Sequence, residues 1–398
     1  MKQNWEIKKL GDVCEIARGG SPRPIKEYIT TDSDGINWIK IGDTDPSGKY
    51  IYHTAEKIKP SGLYKSRYVE EGDFLLSNSM SFGRPYILKT NGCIHDGWLV
   101  LKNYNRSLLI DFFYYMLLSP YIQEQFEVEA KGSTVRNLNT DIVSNVKIVV
   151  PPLAEQRRIV AILDDKFVQI DALKAAAQKN LDNAEQLWKA QMEKQFDNQK
   201  WEKKKLGEVC SKDCTLSYGI VQPGDEYPNG VPVVRPVDLT EKFIKKQNLK
   251  QVDPKISNSY KRTILKGGDL LFCVRGTTGI VSIATNELEG CNVTRGISPI
   301  RFDNSETALF MYYCFQTQHC INEIQAKTKG TALKQINIAD LRNLTIPLPP
   351  IAEQERIVKE LDALSAKINT LKANYRRQIE CCDELRQSLL KKAFEGEL

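Results

Sequence analysis

The chain alternates between regions of short apolar runs and two long stretches with a helical apolar period. Gly, Pro, Asn and Asp separate the short runs, as turns between β-strands require. A longer patch rich in Tyr, Phe and Leu follows them and fits a helix better than a strand. Each region therefore predicts a small mixed α/β domain. The strand-like runs of the first region are Ile36–Ile41, Phe74–Ser77, Leu99–Lys102 and Val146–Val150, its helical patch is Leu108–Val128, and the counterpart of that patch is Glu306–Lys327.

The two long stretches begin after Pro151-Pro152 and Pro349-Pro350, and proline is tolerated in the first turn of a helix. Apolar residues then recur at steps of three and four, the spacing of a coiled-coil seam. A helix of about 40 residues is about 60 Å long and outreaches a small domain. We therefore expect the two helices to pair, the alternative being that each seam packs on its own domain. The predicted pairing residues are Ile159, Leu163, Ile170, Leu173, Ile357, Leu361, Leu364, Ile368 and Leu371.

The chain is a tandem repeat of a half about 200 residues long. Four segments recur in the same order, at an offset of 196 residues early in the chain and 198 late. The matched segments are Trp5 to Cys14 with Trp201 to Cys210, Gly72 to Leu76 with Gly268 to Phe272, Lys131 to Ser133 with Lys329 to Thr331, and Pro151 to Val160 with Pro349 to Val358.

The repeat defines the predicted fold class and its boundaries. We expect an α/β (α+β) protein in which two similar domains are joined by two long helices, with an internal pseudo-two-fold repeat. The predicted ranges are 1–150 for the first domain, 151–200 for the central helix, 201–349 for the second domain and 350–398 for the C-terminal helix.

Composition fits a globular chain with a mild basic excess. The 398 residues are 41% hydrophobic, which suffices for two domains. No apolar run reaches about eighteen residues and the N-terminus lacks a secretory signal, so we expect the chain in the cytoplasm. The net charge is +6, mostly from residues 201–349, which carry 20 Lys and Arg against 15 Asp and Glu. This excess permits nucleic-acid binding, and an ordinary solvated surface explains it equally well.

Motifs for catalysis are missing from the sequence. No Gly-x-x-x-x-Gly-Lys-Ser/Thr loop occurs, so we expect no ATP hydrolysis by this chain. The Pro-Pro pairs follow Val150 and Leu348, so they lack the Asn or Asp of a methyltransferase site. Glu129-Ala130-Lys131 has the Glu-x-Lys shape of a nuclease metal site, but no upstream Pro-Asp accompanies it. The sequence therefore predicts no catalytic residues.

Metal sites and histidine chemistry are equally unsupported. Cys210 and Cys214 have a clip-like spacing, but no second Cys or His pair lies close by, and structural zinc takes four ligands. The ten cysteines are scattered, as packed thiols are. His95-Asp96 has no counterpart in the repeat, which favours a structural or DNA-facing histidine over a catalytic one.

With these repeats the chain resembles the specificity subunit of type I restriction-modification systems. The resemblance covers the whole length and depends on two motifs, each present twice. The opening motif is Trp-x-x-x-x-Leu-Gly-(Asp/Glu)-Val, and the closing motif is Pro-Pro-(Leu/Ile)-Ala-Glu-Gln-x-Arg-Ile-Val. The tail from Leu389 to Leu398 is also similar to the usual ending of that family.

The resemblance implies a DNA-reading subunit without cofactors of its own. Each variable segment would be a target-recognition domain for one half of a split site in double-stranded DNA. The two helices would form an antiparallel pair that sets the gap. Two modification subunits would dock on them, bind S-adenosylmethionine and methylate adenine, and two restriction subunits that use ATP and Mg can join them.

Candidate DNA contacts are polar and basic residues in Gly-rich loops, because Arg and Asn read bases whereas Lys, Ser and Thr mostly hold phosphates. The Lys-Gly-Ser/Thr loop ranks first because its polar character recurs. The candidates in the first domain are Arg18, Ser21, Arg23, Ser77, Asn78, Ser79, Arg84, Lys131, Ser133, Thr134 and Arg136, and those in the second are Arg235, Arg275, Thr277, Asn292, Thr294, Arg295, Lys329, Thr331 and Lys334.

Three other functions are compatible with the sequence. One is the specificity subunit of a type IIB-like enzyme, whose partner carries cleavage and methylation together. Another is a coiled-coil scaffold whose globular ends bind proteins. A third is an enzyme with an unrecognised site, which the missing motifs disfavour.

Overall fold

The computed structural model describes residues 4–46, 48–78, 82–103, 107–130, 137–198, 200–214, 216–330 and 334–398. The chain divides into two compact units. Unit 1 comprises Met1–Gln178 with Arg376–Leu398, and unit 2 comprises Lys179–Tyr375. Each unit therefore contains one globular region and a part of each long helix. The four domain ranges expected from the repeat stay predictions.

The globular region of unit 1 is a mixed α/β domain. Its described part has five-stranded sheets in the orders β2-β11-β8-β9-β5 and β3-β6-β4-β10-β7, with β1 paired to β12. The predicted helical patch is two helices, because the residue before Pro120 leaves the helical conformation. The elements are β1 Glu6–Lys9, α1 Leu10–Val13, β2 Cys14–Arg18, β3 Ile29–Thr30, β4 Ile36–Ile39, β5 Tyr50–Ile51, β6 Glu56–Ile58, β7 Arg67–Val69, β8 Phe74–Ser77, β9 Pro85–Leu88, β10 Gly92–Ile94, β11 Trp98–Asn103, α2 Ile110–Leu118, α3 Pro120–Ala130, α4 Thr140–Asn145, β12 Lys147–Val150 and α5 Leu153–Phe196.

The globular region of unit 2 repeats this plan with fewer strands in its described part. Its sheets have the orders β15-β18-β17-β20 and β16-β14-β19, with β13 paired to β21. The elements are β13 Lys203–Lys205, α6 Leu206–Val209, β14 Val231–Val234, β15 Phe243–Ile244, β16 Lys250–Val252, α7 Pro254–Ser259, β17 Leu270–Cys273, β18 Val281–Ala284, β19 Asn292–Val293, β20 Ile297–Ile300, α8 Ser305–Cys314, α9 Gln318–Lys327, α10 Ile338–Arg342, β21 Thr345–Pro347 and α11 Ile351–Glu395.

The repeated opening motif pairs the first strand of each globular region with its last strand. The strand before the motif's leucine pairs antiparallel with the last strand of the region, β1 with β12 and β13 with β21. The leucines Leu10 and Leu206 are fully buried. A Cβ on Gly11 would lie 3.0 Å from the Cβ of Ser144, so the motif's glycine leaves room for the neighbouring helix. The two ends of each region are therefore held side by side.

The repeated closing motif starts each long helix. Its glutamines, Gln156 and Gln354, are buried, and their side-chain amides donate to the carbonyls of Pro151 at 2.8 Å and Pro349 at 2.7 Å. A buried amide needs such partners because an unsatisfied polar group is costly in the interior. The motif therefore ties the helix start to the proline turn.

The two long helices run antiparallel within each unit. In unit 1, Lys174 Nζ lies 2.6 Å from a carboxylate oxygen of Asp383. In unit 2, Lys372 Nζ lies 2.9 Å from a carboxylate oxygen of Glu185. A second pair in each unit gives the direction, Asp171 with Arg386 in unit 1 and Gln195 with Glu360 in unit 2. Within each unit the partner number falls as the residue number rises, so the two helices run in opposite directions. This confirms the predicted antiparallel coiled coil.

Each helix seam also packs on its own globular region, so both packing modes that the sequence allowed are present. Ile159 and Leu163 belong to the core of unit 1, and Ile357 and Leu361 belong to the core of unit 2. The hydroxyl of Tyr115 donates to Asp164, and the equivalent hydroxyl of Tyr313 donates to Asp362. Each globular region is thus fixed to the helix that follows it.

The predicted seam is wrong at Leu173 and Leu371, whose exposed fractions are 62% and 40%. A step of four from Ile170 and from Ile368 leads instead to Lys174 and Lys372, which make the ion pairs described above. Hydrophobicity favoured the neighbouring leucines, whereas the helical period decides which residue faces the partner helix.

The corrected seam can be tested with one substitution at two neighbouring positions. We expect Ile368→Asp to lower the free energy of unfolding by at least about 2 kcal/mol, because it removes buried apolar contacts and buries a charge. The matched control Leu371→Asp should change it by less than about 0.5 kcal/mol, because Leu371 is exposed. Urea denaturation followed by circular dichroism measures both, and equal losses would contradict the assignment.

Candidate nucleic-acid interface

Three loops of unit 1 meet at one edge of the domain. The N–H of Gly19, after β2, donates to Trp98 O at 2.9 Å. The N–H of Asn78, after β8, donates to Gly97 O at 3.0 Å. These bonds bring the loops after β2, β8 and β10 together. Most of the candidate DNA contacts described in unit 1 lie on these loops.

Asp96 connects four of the candidates. Its backbone carbonyl accepts from Arg18 Nε at 3.1 Å and from Asn78 Nδ2 at 2.8 Å. Its carboxylate accepts from Ser21 Oγ at 2.7 Å and lies 3.4 Å from Arg23 Nη2. The hydrogen bond from Ser21 is the main cause that lowers the pKa of Asp96. The carboxylate is therefore ionised at neutral pH and holds the loops in place.

A cleft of about 1030 Å³ opens beside Asp96. Its lining has three cations, Arg23, Lys26 and Lys40, two carboxylates, Glu56 and Asp96, and the aromatic ring of Trp38. Arg23 has 81% of its side chain exposed. The lining therefore has one positive charge in excess, which is compatible with an anionic ligand. Lys26 and Lys40 were absent from the candidates because no glycine-rich stretch marks them.

His95 has a structural role. Its Nδ1 lies 2.8 Å from the N–H of Gly97, and its Nε2 lies 3.2 Å from the N–H of Ile41. Burial is the main cause that lowers the pKa of His95, so the ring is neutral at neutral pH. A neutral imidazole accepts at one ring nitrogen only, so the side chain lies between the Asp96 loop and the segment after β4 and makes one of these two hydrogen bonds.

The candidates Ser77, Asn78 and Arg84 lie at or next to the turn between β8 and β9. Ser77 and Asn78 are buried. The hydroxyl of Ser77 accepts from the N–H of Arg84 at 3.1 Å. The guanidinium of Arg84 is half-buried, 5.5 Å from the ring centre of Tyr86. The structure thus corrects the assignments of Ser77 and Asn78, because their side chains are used inside the domain. The DNA contact of Arg84 stays a prediction.

In unit 2 three loops converge in the same way. The N–H of Gly276 donates to Lys334 O at 2.8 Å, and the N–H of Val274 donates to Gly296 O at 2.8 Å. These bonds bring together the loops that carry Arg275, Arg295 and Lys334. All three residues are at least partly exposed, and Thr277 and Lys329 nearby are exposed as well. The predicted basic candidates therefore form one cluster.

Two candidate side chains of unit 2 already form hydrogen bonds with neighbouring side chains. Asn292 is buried, donates to Ser257 Oγ at 3.1 Å and accepts from Thr263 Oγ1 at 2.7 Å, so its predicted DNA contact is wrong. Arg235 is half-exposed and binds Asp238 through two nitrogens at 3.1 and 2.9 Å, which raises the pKa of Arg235.

The remaining candidates are Thr294 and six residues without a structural description. Thr294 is half-buried, with Oγ1 3.5 Å from Val234 O. The Lys-Gly-Ser loop that ranked first lies outside the described residues. The six candidates outside them are Ser79, Lys131, Ser133, Thr134, Arg136 and Thr331.

Within the described residues, no group of three His, Cys, Asp or Glu side chains could hold a metal ion. All ten cysteines are free thiols. No helix in the described part of the chain is long and apolar enough to cross a membrane.

The profile of the type I restriction modification DNA specificity domain matches residues 2–182 and again residues 198–381. The chain belongs to this family. Its two family domains coincide with the two halves of the repeat. The specificity-domain family therefore accounts for both globular regions and for most of both long helices.

Individual relatives agree with this assignment. The specificity subunit of the type I restriction enzyme EcoBI from Escherichia coli is 24% identical over 99% of this chain and 86% of that subunit. A chain from a structure of complex assembly and conformational transition in the type I R-M system has a TM-score of 0.81 at 22% identity, covering 100% of this chain and 99% of that one. The HsdS subunit from Thermoanaerobacter tengcongensis has a TM-score of 0.60 at 22% identity, covering 100% and 98%. The two structures show that the fold is shared.

Proposed function

We propose that this specificity subunit reads a split DNA site, one half with each unit, and performs no catalytic step itself. The observation that carries the proposal is the pair of loop clusters, one in each family domain, with exposed arginines at their centre. Arginine recognises guanine through two hydrogen bonds and also binds phosphates. Cytoplasmic placement stays a prediction.

The antiparallel helices are proposed to set the gap between the half-sites. They span 44 and 45 residues, which corresponds to about 66 Å of helix each. Recognition modules on successive turns of one duplex face must lie about 34–36 Å apart. A paired helix is stiff, so it supports a gap of fixed length.

Exposed leucines support the docking of two modification subunits. Leu173 and Leu371 occupy the same position in the two repeats, and so do Leu187 and Leu385. All four are exposed. Single exposed apolar side chains are common on protein surfaces, so what supports docking is that these recur at equivalent positions of the two repeats. Their repetition suits two copies of one partner.

The cofactors are proposed to belong to partners. S-adenosylmethionine would be bound by the modification subunits, and ATP and Mg by the restriction subunits where these join. A type IIB-like assembly is less favoured, because the family profile and the relatives are of type I.

The purified chain is expected to bind duplex DNA and not to bind S-adenosylmethionine. Affinity measured by fluorescence anisotropy should fall by at least about 100-fold between 50 and 200 mM salt, because phosphate contacts release counterions. Calorimetry with S-adenosylmethionine should show no heat of binding. DNA affinity that is absent or independent of salt would favour the protein-binding scaffold, and stoichiometric cofactor binding would contradict a purely DNA-reading subunit.

A further inference from the structure

Two turns, one in each unit, occupy the same place in the fold. Each follows a strand that pairs in parallel with its neighbour, at Ile94 with Ile39 and at Val293 with Val234. Each is closed by a hydrogen bond between its fourth and first residues. These bonds join Trp98 N to His95 O at 3.1 Å and Ile297 N to Thr294 O at 2.9 Å.

The surroundings of the two turns match as well. The third residue of each turn is glycine. Its carbonyl accepts from the N–H of the first residue after β8 in unit 1, Asn78 at 3.0 Å, and after β17 in unit 2, Val274 at 2.8 Å. The carbonyl of the fourth residue accepts from the N–H of a glycine in both units. These glycines are Gly19, which follows β2, at 2.9 Å, and Gly219 at 3.3 Å. The second residues, Asp96 and Arg295, therefore correspond, although no sequence motif aligns them.

Asp96 and Arg295 present opposite chemistry at this shared position. The ionised carboxylate of Asp96 can only accept hydrogen bonds, and the guanidinium of Arg295 can only donate them. Asp96 keeps 43% of its side chain exposed, and Arg295 is exposed. In the major groove cytosine offers a donor at N4, whereas guanine offers acceptors at N7 and O6. One position can thus distinguish opposite members of a G·C pair.

The turn in unit 1 is held rigidly enough for such a role. The carboxylate of Asp96 accepts from Ser21 and Arg23, and its own backbone N–H also interacts with it, so only part of its acceptor capacity of about four sites stays open. The cations Arg23 and Lys26 line the adjacent cleft and offset the repulsion between a carboxylate and DNA phosphates, whereas Lys40 is paired with Glu56. In unit 2, the N–H of Arg295 donates to Ile220 O at 2.8 Å, so its backbone is fixed too.

We propose that Asp96 and Arg295 are corresponding base-reading positions of opposite preference, Asp96 selecting cytosine in one half-site and Arg295 selecting guanine in the other. The proposal rests on the proposed function, because it requires each unit to read DNA. It gives Asp96 a role in base recognition, although Asp96 was not among the candidates chosen from the glycine-rich loops.

The test is selection from a pool of randomised DNA duplexes by the purified full-length chain, followed by sequencing of the bound fraction. The wild-type chain should enrich a split motif with cytosine at one position of one half and guanine at the equivalent position of the other. Asp96→Asn should reduce the cytosine preference by about 5- to 150-fold, the range that one good base contact provides. Asp96→Arg should change that position to guanine and leave the other half-site as it was, although positions read by Ser21 or Arg23 can change because both lose their bond to the carboxylate.

The same selection with a variant of Arg295 tests the other half-site. Arg295→Lys keeps the charge and loses the planar fork, so total affinity should persist while guanine preference at one position falls. Because Arg295 is exposed, this arm decides the proposal even where an Asp96 variant does not fold, as judged by thermal melting. A wild-type motif retained by Arg295→Lys, or by folded Asp96→Asn and Asp96→Arg, overturns the inference and leaves the proposed function standing. Enrichment of no sequence by the wild-type chain overturns both.

Discussion

Replacing residues 201–349 with the matching segment of another type I specificity subunit is expected to change one half of the DNA motif and leave the other half unchanged. The segment begins and ends at paired strands, since Lys203–Lys205 pairs with Thr345–Pro347. Its ends are therefore adjacent, and a foreign segment can replace it without moving the helices.

The donor segment for this exchange needs two features. It should have tyrosine at the position of Tyr313, because that hydroxyl donates to Asp362 on the following helix. It should also keep an apolar residue at the position of Met311, which packs in the core of unit 2. These two features keep the junction between domain and helix as it is.

The exchange is read out by methylome sequencing of cells that express the chimera with its modification subunits. The matched control exchanges residues 1–150, whose ends pair as Glu6–Lys9 with Lys147–Val150, and should change only the other half. The gap should persist in both chimeras. An exchange that alters both half-sites together would show that the two units form one joint reading surface.

A seven-residue insertion in both long helices is expected to keep both half-sites and lengthen the gap. Placed after Gln178 and after Gln378, the insertions lie between the ion pair of Lys174 with Asp383 and that of Lys372 with Glu185. Seven residues are two helical turns and add about 10 Å, which corresponds to about three base pairs at 3.4 Å each. The inserted heptad carries apolar residues at the seam positions.

Selection from randomised duplexes measures the new gap. The matched control inserts the same heptad after Gln178 only, which displaces one helix against the other. Because this breaks the pairing on one side, it should lower the melting temperature and abolish selection of a split motif. A paired insertion that retains the original gap at wild-type affinity would contradict the role of the helices as the spacer.

Local pattern was sufficient to predict the architecture. The strands at Phe74–Ser77 and Lys147–Val150 and the long helices lie where the periodicity placed them. Such elements are determined by residues close in sequence, because a helix or strand face needs only its own spacing to become apolar. The repeat then predicted two similar units without any structural information.

Local pattern was insufficient for the middle of the helix pair. Leu173 and Leu371 are the most hydrophobic residues near the expected step, but the partner helix faces Lys174 and Lys372. Which side of a helix faces its partner depends on the summed packing of the whole pair. An ion pair between the helices satisfies the lysines and leaves the leucines to solvent.

For the candidate DNA contacts as well, local pattern was sufficient at some residues and insufficient at others. The search for arginines near glycine-rich loops found side chains that lie at or beside loops, because arginines near turns are seldom buried. These are Arg18, Arg23, Arg275 and Arg295. The same criterion failed at Asn78 and Asn292, whose amides are used by neighbours far away in sequence. Only long-range packing distinguishes an amide that faces solvent from one that satisfies the interior.

By itself, the sequence determined the duplication, the two mixed α/β regions, the two helices and the family motifs, since these depend on local period and on segments repeated along the chain. The tertiary structure decided that Asp96 corresponds to Arg295. The offset between the halves drifts with loop length, so equivalence across the loops is defined by backbone hydrogen bonds and not by residue number. Those bonds form only when distant strands pair, which is why the chemistry of the recognition loops becomes visible in the folded chain.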